Sequence, residues 1–187
     1  INDLPVYDDT AQFVQYTVTE LGFYDETSDS YSLPSYYFNP SSESGLIVYR
    51  ATPTSPRQVT ITNHRKYGNI KIVKTSDDNY VEGLWFNVKS DNGYDVNIQT
   101  NSDGIAETGK VDILTAEGDW IIYEITELGI KNSDGTYSIP VRYETEDIPS
   151  VSFKECADDL APNQTVTVQR GVYNKIKTSN LEVKKTS

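Results

Sequence analysis

Two stretches of the chain carry a lysine and an asparagine at one spacing. VTITNHRKYGNIKIVKTS holds Asn63 and Lys74, and RGVYNKIKTSNLEVKKTS holds Asn174 and Lys185. In each, the Asn ends one alternating apolar run and the Lys follows eleven residues later in another. Upstream of each Asn lies a matching Tyr-x-β-branched-Thr-Glu-Leu-Gly segment: YTVTELG with Glu20, and YEITELG with Glu127. An amine, a carboxamide and an acid therefore recur as a set. Alternate residues of a strand share a face. On that rule Ile70, Ile72 and Lys74 face one way, and Leu181, Val183 and Lys185 repeat the pattern. The same holds for Val59, Ile61 and Asn63, for Val172 and Asn174, for Tyr123, Ile125 and Glu127, and for Tyr16, Val18 and Glu20. Each polar residue continues an apolar, inward row.

Burying a lone ammonium or carboxylate costs several kcal/mol unless it is paired or neutralised. Desolvation lowers a Lys pKa and raises that of a Glu. A neutral Lys amine is a nucleophile, and a protonated Glu can hydrogen-bond the Asn carbonyl and relay protons. Attack on the amide carbon expels ammonia and leaves a Lys–Asn isopeptide bond that is neutral at both ends. The fold supplies the effective concentration, so no separate enzyme is needed. The competing reading of one such set is a buried Lys–Glu ion pair with Asn as a hydrogen-bond partner. Recurrence of all three residue types in order favours the bond-forming reading.

The elements that must position these residues are strands. The 187 residues suffice for one large or two small domains, and 36% hydrophobic with 14 Tyr suffices for packed cores. Val, Ile, Thr and Tyr dominate the patterned runs, as strands prefer. From about residue 68 the runs are NIKIVKTS, GLWFNVK, YDVNIQT, DWIIYEITEL, VRYE, SVSF and TVTVQRGVYN, with turn signals between them. Gly171 reads as a bulge in the last strand, and residues 155–162 as one helical turn. An all-β chain of tandem Ig-like sandwich units is expected. Residues 67–178 read as a complete unit, 1–66 as the later part of a preceding one, and 179–187 as the first strand of a following one.

Charge and composition exclude other classes. The net charge of −12 disfavours nucleic acid and anionic membranes. No run is long enough to span a bilayer, and the absence of Met and of a leader reads as a mature or excised fragment. Cys156 stands alone, so no intrachain disulfide forms, and His64, the only His, has no partner for a triad or a His metal site. The Asp/Asn/Gly clusters at 77–79, 90–93, 101–104 and 132–135 match turn chemistry and not a calcium loop. Asn163-Gln164-Thr165 spells a glycosylation sequon, a motif that means little if the source is bacterial. The aromatics of SYYFNPSS, 35–42, read as loop packing in preference to a ligand patch. No metal and no cofactor is expected.

These segments resemble the CnaB-type domains, also called SpaA-like or prealbumin-like, of Gram-positive surface adhesins and pilins. NIKIVKTS followed by EGLWFNV is similar to that family's opening Lys strand and its next strand. DLPVYDDTAQFVQYTVTE resembles its LPxYD…YTVTE segment, and VTITN its closing Asn strand. The resemblance implies a Lys74–Asn174 crosslink with Glu127 as the catalytic acid, and assigns Glu20 and Asn63 to a second site. Glu124 is the alternative acid, although alignment with YTVTELG and strand parity favour Glu127. Asn63 and Lys185 are left unmatched. Either the natural protein extends further upstream, the chain being cut from a longer tandem array, or a lysine from elsewhere fills the gap, with Lys185 of one chain reaching Asn63 of another by strand exchange. The resemblance further implies a cell-wall-anchored, extracellular stalk module whose partners are neighbouring domains of the same protein. Two alternatives are a ligand-binding adhesin module for a host protein or glycan, and an accessory domain of a secreted enzyme. Catalysis would be limited to the single autocatalytic turnover.

Overall fold

The computed structural model describes residues 4–38, 47–50 and 60–185. Val59 and the Asn-Pro-Ser-Ser tail of the 35–42 stretch lie outside the described residues. In chain order the strands are β1 (Gln15–Val18), β2 (Phe23–Asp25), β3 (Ser30–Ser32), β4 (Ile47–Arg50), β5 (Tyr67–Ser76), β6 (Trp85–Ser90) and β7 (Asp95–Gln99). They continue with β8 (Ile105–Glu107), β9 (Val111–Asp112), β10 (Ile122–Lys131), β11 (Tyr137–Ser138), β12 (Val151–Ser152) and β13 (Thr165–Asn174). The fold is all-β and Ig-like. One sheet is ordered β11-β10-β6-β7, with β12 also on β10, and the facing sheet is ordered β13-β5-β8, with β9 also on β5.

Alternation builds the core. Ile70 and Ile72 of β5 and Val166, Val168 and Val172 of β13 point inward from one sheet. Phe86 and Val88 of β6 and Tyr123 and Ile125 of β10 point inward from the other. Two sheets that bury one face each against the other make a sandwich, because neither can leave its apolar face in water. Phe153 closes one end and lies so close to Gly68 that a Cβ there would come within 2.2 Å of its ring. Turns fall where the Asx chemistry places them. Asn101 Oδ1 accepts from the backbone of Asp103 and Ile105, and Asp134 Oδ1 from Thr136.

Four local expectations are corrected. Gly171 makes no bulge, because β13 pairs with β5 without interruption and Gly171 lies opposite Val73. The bulge lies in β10, where the register with β6 shifts between Glu127 and Gly129. VRYE is a turn with a single bridge, Tyr143 to Ile176, not a strand. The helical turn begins earlier, over Phe153–Asp159, as two short 3₁₀ turns kinked at Cys156. Thr60–Asn63 forms no strand, nor do residues 180–185. Both have strand composition, but neither has a neighbouring strand among the described residues to complete a ladder.

Candidate crosslinking site

β5 and β13 run parallel over ten residue pairs, with Val172 opposite Lys74 and Asn174 opposite Ser76. Asn174 therefore ends the inward row of β13, and Lys74 lies one step before Ser76, which ends the adjacent inward row of β5. β10 faces them from the other sheet, and its row Tyr123–Ile125 ends at Glu127, just before the bulge. Gly129 makes that bulge possible, with φ of +82° and room for no Cβ, since one would fall 2.3 Å from the Ser138 carbonyl oxygen.

The three side chains meet. Lys74 Nζ lies 3.4 Å from both carboxylate oxygens of Glu127, and Asn174 Nδ2 donates to Glu127 Oε1 at 2.9 Å. Lys74 and Asn174 are each only 1% exposed. Burial pushes the Lys74 ammonium below its usual pKa, and the Glu127 carboxylate opposes that shift. One carboxylate thus touches both an amine that loses its proton more readily than usual and the nitrogen that amide substitution would expel. The amide presents its NH₂ to the acid, so the contact is to the leaving group and not to the carbonyl oxygen expected from the sequence. Glu124 points away. It is 65% exposed and pairs with Lys89 at 3.0 Å, whereas the Glu127 side chain is 8% exposed.

Asp77 and Asp78 fasten this end of the sandwich, a function not legible in their turn-like sequence. The Tyr173 hydroxyl donates to Asp77, whose second oxygen accepts from the Ile176 N–H at 2.8 Å. The Tyr143 hydroxyl donates to Asp78 at 2.8 Å, beside an Arg142 ion pair at 2.8 Å. Both carboxyls are held below their usual pKa by the tyrosine hydroxyls. The backbone N–H of Asp77 also donates to the Asn174 carbonyl at 3.2 Å. These contacts hold the last residues of β13 against the turn that follows β5.

The earlier acid–amide pair is also assembled. Asn63 Nδ2 donates to Glu20 Oε1 at 2.8 Å, and Glu20 Oε2 is buried without a hydrogen-bond partner. Two backbone hydrogen bonds of the scaffold repeat around the two pairs. Phe38 N–H donates to the His64 carbonyl as Glu144 donates to Lys175, both at 2.8 Å. Lys66 N–H donates to Tyr36 as Lys177 donates to Arg142, again at 2.8 Å. Gly22, with φ of +86°, presses on the Ser32 carbonyl as Gly129 presses on Ser138. The 35–38 aromatics pack as loop residues: Tyr36 meets Tyr37 edge to face, and the Arg65 guanidinium lies over the Tyr36 ring, 4.4 Å from its centroid. Lys185 is exposed and belongs to neither cluster.

No protein-family model matches the chain. No match to a curated protein was found. Among solved structures, the TIE protein of Bacillus anthracis is similar at 22% identity and a TM-score of 0.39, over 61% of this chain and 17% of that one. The shaft pilin SpaA of Lactobacillus rhamnosus GG (D295N mutant) gives 14% and 0.39, over 60% and 49%. BcpA, the major pilin subunit of Bacillus cereus, gives 18% and 0.34, over 60% and 31%. The chain thus spans half or less of the length of these proteins.

Proposed function

We propose that the chain is a structural module of a Gram-positive pilus or adhesin, stiffened by an autocatalytic Lys74–Asn174 isopeptide bond with Glu127 as the proton-transferring acid. The observation that carries this reading is the Glu127 carboxylate, within 3.4 Å of a buried amine and 2.9 Å of a buried amide. Glu127 takes a proton from the Lys74 ammonium, and the neutral Nζ attacks Asn174 Cγ. The new C–N bond forms, the Cγ–Nδ2 bond breaks, and Glu127 returns a proton to the departing nitrogen. Of the three ammonium protons, one stays on the new amide, one completes the ammonia, and one remains on Glu127 or leaves with the ammonia as ammonium. The product removes a buried charge, which supplies a driving force beyond amide exchange alone.

In this reading 67–178 is a complete unit of a tandem stalk, and 1–66 and 179–187 belong to its neighbours. The stalk sits outside the cell, anchored to the wall, with neighbouring domains of the same protein as its main partners. Intact-mass measurement tests the bond. The expected result is a monomer lighter than its sequence by one ammonia, and an unmodified mass for Lys74→Ala and Glu127→Ala. A full sequence mass for the unaltered chain overturns the proposal. A second reading, a ligand-binding module for a host protein or glycan, draws on the β2–β3 hairpin, whose Phe23, Tyr24 and Tyr31 are exposed. Its test is a glycan array and pulldown with Phe23→Ala as the control.

A further inference from the structure

Of the groups that meet at the crosslinking site, Asn174 has the weakest support from the sheets themselves. It is the last residue of β13, and β13 is an edge strand whose ladder partner among the described residues is β5. The end of an edge strand opens locally more readily than a position inside a sheet. Lys74 lies between two neighbours, with Val172 opposite on one side and its N–H donating to the Gly104 carbonyl at 2.8 Å on the other. Glu127 sits in β10 opposite Phe86, just before the Gly129 bulge. A reacting carbon that strays by about an ångström forfeits much of what a preassembled site supplies. Asp77 counters that freedom. Its backbone N–H donates to the Asn174 carbonyl at 3.2 Å. One of its carboxylate oxygens accepts from the Tyr173 hydroxyl, and the other from the Ile176 N–H at 2.8 Å. One residue thus grips the asparagine and the chain on both sides of it. The 142–144 turn supports the segment from beyond, through Glu144 N–H to the Lys175 carbonyl at 2.8 Å and the Tyr143–Ile176 bridge.

We propose that Asp77 is a positioning residue for the crosslinking reaction: it holds the Asn174 carboxamide at the Lys74 amine and so sets how fast the bond forms. The proposal rests on the Lys74–Asn174 reading. Asp77 takes no part in the proton transfers, which remain with Glu127. It acts through Tyr173, Ile176 and the Asn174 backbone, so the site needs its hydrogen bonds and not its charge. Asp77→Asn keeps a carbonyl oxygen for the Ile176 N–H and an NH₂ that can donate to the Tyr173 hydroxyl oxygen, whereas Asp77→Ala loses both side-chain grips. Because Asp77 lies in the turn that leaves β5, the same turn ties the strand of the nucleophile to the strand of the amide it attacks.

The test is the rate of ammonia loss, followed by intact mass on chain made by cell-free translation and quenched in denaturant at intervals. Asp77→Ala should crosslink on the order of ten- to a hundredfold more slowly than the unaltered chain. Asp77→Asn should recover most of the lost rate. Tyr173→Phe removes one grip at a side chain that is 42% exposed, and its rate should fall between the two. Phe153→Leu is the control for stability, because Phe153 packs on Gly68 at the opposite end of β5. It weakens the core without touching Asn174 and should crosslink at the unaltered rate wherever circular dichroism shows it folded. Equal rates for Asp77→Ala and the unaltered chain overturn this proposal alone. So does a slowing in Phe153→Leu that matches Asp77→Ala, which would make stability the cause, and so does an Asp77→Asn rate as low as that of Asp77→Ala. If Asp77→Ala does not fold, an unaltered rate in Tyr173→Phe overturns the proposal instead. An unaltered chain that keeps its full mass overturns the Lys74–Asn174 reading and this proposal with it.

Discussion

A lysine shut away from water must find a counter-charge, lose its proton or react, and Lys74 is placed to do all three. Glu127 is its counter-ion and, in the proposed reaction, the acceptor of its proton, and Asn174 lies on the same carboxylate. Glu124 shares none of these contacts. Intact mass should therefore show the ammonia loss unchanged in Glu124→Ala and absent in Glu127→Gln, which keeps the shape of the side chain but cannot take the proton. A second prediction follows from the lowered Lys74 pKa. In an Asn174→Ala background no bond forms, and the amine stays free. Below the folded pKa the amine is charged in both states, and the burial cost is felt in full. Between the lowered folded value and about 10.4 in the unfolded chain, only the unfolded state is protonated, so stability rises with pH. Urea midpoints of Asn174→Ala should thus climb toward pH 10 more steeply than those of Lys74→Met/Asn174→Ala. Strand parity made this cluster legible in the sequence, because a lysine in step with Ile70 and Ile72 has to face inward. Parity could not show which atoms of Asn174 meet Glu127, since that depends on how two sheets are stacked.

At the scale of elements, each inward row ends where its strand bends or stops. β10 bends at the Glu127–Gly129 bulge, and Gly129 is the one residue type that fits there. Gly129→Ala forces a Cβ toward the Ser138 carbonyl and an unfavourable φ, which should cost on the order of 1–3 kcal/mol. Chemical denaturation of the crosslink-free Lys74→Ala form checks this without interference from the bond. Gly171→Ala, with open space around it, should change the midpoint little. The sequence pointed to Gly171 because a glycine inside a strand pattern is the usual sign of a bulge. It passed over Gly129, whose TELG setting looks like the end of a strand. The same limit explains Thr60–Asn63 and residues 180–185. Strand composition is a local property, but a ladder needs a partner. β13 is a strand over its whole length because β5 runs beside it. The short strands β8 and β9 went unread for the opposite reason, being too brief to show a period and existing because β5 offers them an edge.

For the whole unit, the path of force is set by where β5 begins and β13 ends. Tension enters at Tyr67 and leaves beyond Asn174, so it shears the parallel β5–β13 ladder along its length. A bond from Lys74 to Asn174 carries that load across after the first eight residues of β5, and the chain between the two ends is bypassed. By analogy with a disulfide closing a loop of about 100 residues, the proposed bond would stabilise the fold by on the order of 4–5 kcal/mol. It would also limit what unfolding can release. In Lys74→Ala, complete unfolding under tension frees about 100 more residues at ~3.3–3.6 Å each, roughly 350 Å of added contour. A unit crosslinked as proposed could not yield that length without breaking a covalent bond. Single-molecule pulling from handles at residues 66 and 178 should therefore show a step of about that size in Lys74→Ala and in Glu127→Gln. The unaltered chain should show no such step up to forces that rupture the handles. The same step in the unaltered chain would mean that load passes through hydrogen bonds alone and that the buried Lys74, Glu127 and Asn174 remain an ion pair with an amide beside it.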